Sequence, residues 1–88
     1  MSEYHTESGP PGERTILDRI HELVEEEKRL RAGGHGLDRP GRERLQLVEA
    51  RLDQAWDLLR QRRARQESGA DPDAATERSV DEVESYLQ

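Results

Sequence analysis

Residues 16–30 read ILDRIHELVEEEKRL, and residues 45–59 read LQLVEARLDQAWDLL. In the first stretch Ile16, Ile20, Leu23, Glu27 and Leu30 follow one another at steps of 4, 3, 4 and 3. In the second, Leu45, Val48, Leu52, Ala55 and Leu59 step by 3, 4, 3 and 4. Such steps hold side chains on one face of an α-helix, which turns once in about 3.6 residues. Reversing one stripe and laying it on the other pairs residues whose numbers sum to 75: Leu30 with Leu45, Glu27 with Val48, Leu23 with Leu52, Ile20 with Ala55, and Ile16 with Leu59. Two apolar faces in mirrored order, joined by a short loop, are what an antiparallel helical hairpin requires. The fold class is therefore all-α.

Local signals bound the two helices at about Arg14–Arg31 and Arg39–Gln66. Thr15 is placed to accept an early backbone N–H, with Asp18 in a first turn that favours negative charge. The glycines of Ala32-Gly-Gly-His-Gly36 end the first helix, since glycine takes the left-handed conformation common just past a C-terminus. Asp38 caps the second helix, and Pro40 falls in its first turn, where a missing N–H costs nothing. On the exposed side Glu25–Arg29 and Glu27–Arg31 stand at i,i+4, the favourable order for helical ion pairs. At 1.5 Å per residue the helices are roughly 27 Å and 40 Å long. The turns RQRRAR therefore overhang the first helix unless something covers them, and extending the sum rule brings Glu13 towards Arg62.

Outside the hairpin the chain changes character. Residues 1–12 (MSEYHTESGPPG) are polar and carry Gly and a Pro pair, the composition of a disordered acidic lead-in. The hairpin unit spans residues 13–67, and residues 68–88 form an acidic linker with a short docking helix. Ser79-Val-Asp-Glu82 is a capping box, and it introduces Val80, Val83, Tyr86 and Leu87 on one narrow face, so the short helix falls at about residues 80–87. Two turns of helix are marginal alone and must dock.

Ten Leu, four Val, two Ile and no Phe among 88 residues make a thin apolar set, and a lone two-helix unit hides little surface against its ordering entropy. Self-association into a four-helix bundle of two copies is the simplest remedy. With no cysteine there is neither a disulfide framework nor a thiolate metal site. No run of about 18 apolar residues is present and no apolar leader follows the N-terminus, so no membrane is implicated and a cytoplasmic protein is the expectation. The net charge of −6 divides into −3 for residues 1–13, +3 for 14–66 and −6 for 67–88. Acidic ends on a mildly basic hairpin repel nucleic acid and can fold back on the core.

Each helix carries more apolar surface than the seam uses: Leu17 and Val24 on the first, Leu47, Trp56 and Leu58 on the second. With Val80, Val83 and Tyr86 they make the candidate interface, for a second copy or a partner helix, or for cover by the C-terminal helix itself. Trp56 is the expected anchor, since indoles dominate interface energetics. Glu27 interrupts the seam, and its carboxylate is expected to lean out to Arg31, Arg44 or Arg51. The basic run Arg60, Arg62, Arg63 and Arg65 offers possible phosphate contacts, or simply complements the helix dipole. Asp18 and His21 share the spacing of di-metal bundle ligands, yet neither lies in the seam and the second helix has no His. No nucleophile–base order and no phosphate-loop spacing stands out. No catalytic residue, cofactor or metal is assigned, and no small-molecule substrate is evident.

ILDRIHELVEEEKRLR (16–31), LDQAWDLLRQRRARQESGADPDAA (52–75) and the closing VDEVESYLQ (80–88) together resemble a family of short actinobacterial proteins catalogued as domain-of-unknown-function family 2630. The stretch LDQxWDLLRQRRAR is the most specific part, and GGHGLDRPGRER matches less well. The resemblance implies a small helical bacterial protein and supplies no activity to carry over. The function expected is that of a small non-catalytic interaction or regulatory module, not an enzyme, working as a homodimer or on a protein partner. The alternative is a nucleic-acid-associated factor using the basic end of the second helix.

Overall fold

A computed structural model describes residues 12–33, 38–79 and 81–83. Two helices dominate it, α1 (Glu13–Ala32) and α2 (Arg39–Ser68), followed by a one-turn 3-10 helix at Pro72–Ala74. Residues 81–83 are again helical. Val80 and residues 84–87 of the expected C-terminal helix lie outside the described residues, as do most of the lead-in and the glycine connection.

The helices pack as an antiparallel hairpin. At the far end from the connection Arg63 Nη2 donates to Glu13 at 3.3 Å. At the near end Arg44 holds Glu26 through two hydrogen bonds of 2.6 and 2.8 Å, and Arg31 pairs with Glu49. The residue numbers of these three pairs add to 76, 70 and 80, straddling the 75 of the apolar layers. Ile16, Ile20, Val48, Leu52, Ala55, Leu58, Leu59 and Ala75 form one buried cluster, with Leu23, Val24 and Leu30 packed on it. Glu27 resolves as the spacing suggests: beside the fully buried Val48 its carboxylate turns out to Arg31, 3.5 Å away. Near the connection the seam opens, and both Leu30 and Leu45 are only half-buried.

Three local expectations need correction. Helix α1 begins at Glu13, with Gly12 as its cap and no side-chain cap bond. Thr15 therefore sits inside the first turn, and the Ile16 N–H reaches the Gly12 carbonyl at 3.1 Å. Glu25 is met by Lys28 at 3.5 Å, one residue closer along the helix than Arg29. Glu13 pairs with Arg63, not Arg62, because Arg62 is turned to the C-terminal segment. The signals at α2 hold: the Gly41 N–H donates to Asp38 at 2.9 Å, Pro lies in the first turn, and the helix ends at Gly69 in the left-handed region (φ 81°).

Candidate interaction surface

From Gly69 the chain turns back and runs along α2 in the opposite direction. The order of its contacts shows this. Arg62 meets Pro72 and Asp73, Gln61 meets Thr76, Asp57 meets Arg78, and Gln54 meets Arg78. Residues 70–79 and 81–83 thus form a strap along one flank of α2, with contacts from Arg62 back to Gln54. Ala75 joins the core cluster, and Val83 is fully buried. The capping box forms: the Ser79 N–H donates to Glu82 Oε1 and the Glu82 N–H to Ser79 Oγ, both at 3.2 Å.

The strap is held by polar groups as much as by apolar ones. Asp57 is 2% exposed. Its carboxylate accepts from Gln61 Nε2 at 3.0 Å and lies 3.5 Å from Arg78 Nε. Arg62 is 8% exposed and donates through Nη1 to Asp73 at 2.7 Å and to the Pro72 carbonyl at 3.2 Å. Its Nε–H is buried with no partner. Buried charge is tolerated where it is paired and hydrogen-bonded, and here both charges pin the returning chain. Gln54 Nε2 and Gln61 Nε2 add bonds to the Arg78 and Thr76 carbonyls at 3.2 and 2.7 Å, satisfying backbone that has no regular partner.

This divides the long faces of the hairpin into a closed flank and an open one. At about 100° per residue, Gln54, Asp57, Leu58 and Gln61 fall on one side of the α2 seam, beneath the strap. Glu49, Trp56 and Arg63 fall on the other side, as do Glu13, Leu17, Val24 and Arg31 of α1. The open flank thus has an ion pair at each end, Glu13–Arg63 and Arg31–Glu49. Between them lie Leu17 and Trp56, 38% and 41% exposed, with Val24 half-buried.

The expected interface residues therefore part company. Leu17, Val24 and Trp56 come together on the open flank. Leu58 is not available: it is buried in the core, because the strap lies over its side of α2. Val83 is likewise internal. Leu47 is exposed, but on the α2 face away from Trp56. Val80 and Tyr86 lie outside the described residues. The basic run divides too. Arg62 is buried and Arg63 is engaged with Glu13, leaving Arg60 exposed and Arg65 half-exposed. Asp18 and His21 are both exposed on α1.

On the strap side a groove of about 500 Å³ lies between the helices. Three bases (Arg19, Arg44, Arg51) and three acids (Glu22, Glu26, Glu77) line it, so its charge selects no ligand sign. The Arg44 guanidinium, hydrogen-bonded to Glu26, holds that carboxyl below its usual value of 4.5. Among the described residues no helix is long and apolar enough to cross a membrane.

Residues 12–88 match the family described as "Protein of unknown function (DUF2630)". The chain belongs to that family. It is 48% identical over 79 residues to the uncharacterised proteins Rv0898c of Mycobacterium tuberculosis and Mb0922c of Mycobacterium bovis. Each match covers 86% of this chain and 91% of the relative. No solved structure matches it. The family's range takes in both helices of the hairpin and the strap.

Proposed function

We propose that this chain is a non-catalytic protein-interaction module of the bacterial cytoplasm, and that the open flank is its contact surface. The observation that carries the reading is the asymmetry of the two flanks. The strap closes one side of a thin core, while Leu17 and Trp56 are left in water on the other. Exposed apolar groups rimmed by charges mark association surfaces. The buried acid, Asp57, is spent on Gln61 and Arg78, and the groove beside α1 lacks a nucleophile–base pair among its lining residues. The nucleic-acid reading loses its centre once Arg62 is buried against Asp73.

The test is photo-crosslinking in living cells. A photoreactive residue replaces Leu17 on the open flank or Ala64 on the outer face of α2, both exposed. A discrete protein adduct from position 17 and none from position 64 is expected. Equal yields at the two positions, or no protein adduct at either, would remove the reading.

A further inference from the structure

We propose that the open flank receives a second copy of this chain, related by a two-fold axis along the hairpin, with Trp56 of each protomer seated between Leu17 and Val24 of the other. The inference rests on the reading of that flank as a contact surface and names its occupant.

Height along the flank comes from its two ion pairs. Glu13–Arg63 and Arg31–Glu49 have numbers adding to 76 and 80, so level positions add to about 78. Trp56 then stands level with position 22. That height falls between Leu17 and Val24, which are seven residues, or about two turns, apart. One helix presents a large exposed knob and the other a notch with aliphatic walls. A two-fold axis along the hairpin keeps each end in place and lays α1 over the partner's α2. The helices remain antiparallel, and the knob enters the notch twice. This is the knobs-into-holes packing of a four-helix bundle.

The charges fit the same operation. Glu13 arrives over Arg63 of the partner subunit, and Arg31 over Glu49 of the partner subunit. Each end becomes an alternating ring of two acids and two bases, with no like charges opposed. A two-fold axis across the hairpin alternates charge equally well, but it stacks Trp56 on its own copy and sets Leu17 level with Glu27. The apolar match therefore selects the axis along the hairpin. The flank measures roughly 30 Å by 20 Å, from the length of α1 and two helix widths. That gives about 1,200 Å² in total for two copies, the low end of specific interfaces. A reversible dimer dissociating in the micromolar range is the expected strength.

Two measurements test this. Sedimentation equilibrium from low micromolar to millimolar concentration follows mass, with Trp56→Ala expected to weaken association by about 30-fold or more. The chain has no cysteine, so a spin label on Arg42→Cys reports one distance per dimer. With the axis along the hairpin that distance is set by the diagonal between the two α2 helices, about 14 Å between axes and roughly 15–25 Å between labels. With the axis across it, residue 42 lies fourteen residues from the α2 midpoint, and the labels stand about 40 Å apart. A short distance that disappears in Trp56→Ala supports the proposal. The long distance overturns the packing, and so does a dimer that Trp56→Ala leaves intact. A monomer at millimolar concentration overturns the second copy as occupant. In that event an adduct at position 17 of a mass other than two chains leaves the contact-surface reading standing.

Discussion

Truncating Leu59 should cost a large share of the whole stability of this fold. Leu59 is 1% exposed and sits in the main cluster with Ile16, Leu52 and Ala55. Replacing a buried Leu by Ala removes its transfer energy and leaves a cavity, together about 2–5 kcal/mol. Alanine returns only about 0.2 kcal/mol through helix propensity. Nine apolar residues are buried among those described, so total stability belongs near the lower part of the ~4–13 kcal/mol expected for a chain of this length. A loss of about 3 kcal/mol should lower Tm by roughly 12–24 °C. Urea and thermal unfolding followed by helical circular dichroism, at a fixed protein concentration, would measure it. Leu47→Ala is the control: Leu47 is 40% exposed and outside the cluster, so its loss should stay within about 0.5 kcal/mol. If Leu59→Ala does not fold, Leu59→Val provides a smaller step of about 1 kcal/mol. Equal effects at positions 59 and 47 would refute the assignment of the seam.

Asp57→Ala should destabilise by about 1–3 kcal/mol, because it removes a buried carboxylate that accepts from Gln61 and pairs with Arg78 at the strap. Limited proteolysis should then cut within residues 70–79 before the helices, and a digestion pattern unchanged from wild type would count against the latch. Arg62→Glu should lower Tm more than Arg60→Glu, since it sets an acid in a buried position against Asp73, whereas Arg60 is exposed. A larger loss of salt-dependent DNA retention than of Tm in Arg62→Glu would instead favour a phosphate role. Arg44 lowers the folded pKa of Glu26 below 4.5. Its contribution is therefore fully present above the unfolded value and is lost as pH falls through the lower folded value. Glu26→Gln should flatten the acid limb of the stability–pH curve below 4.5, and an unchanged limb would show that the pair is not formed in solution.

The hairpin was legible because a period of 3 and 4 is a property of the sequence itself. Ile16, Ile20, Leu23, Leu52, Ala55 and Leu59 all meet in the core or on it. So were Asp38 and the Ser79–Glu82 box, whose bonds span three residues. The strap's polar anchors were not legible. Asp57 reads as a surface acid in a helix, and only the returning chain, which brings Arg78 to it, makes it internal. Arg62 did leave a signal: it is the next step of 3 along the stripe after Leu59. Its position marks it as inward-facing, while its charge draws it towards a phosphate reading. Thr15 failed as a cap because Gly12 takes an extended conformation and lets α1 begin two residues before it. The split of the candidate interface followed from the strap. Leu58 and Trp56 are two residues apart and point to opposite sides of the seam, and the sequence carries no mark of which side the tail will take.

Everything here depends on α1 and α2 lying antiparallel within one chain. Methyl and methylene nuclear Overhauser contacts measure this directly, recorded on a mixture of isotope-labelled and unlabelled protein so that contacts within and between chains separate. Contacts between Ile16 and Leu59 and between Leu23 and Leu52, arising within a single chain, are predicted. Their absence would contradict the account, and so would their appearance only between chains.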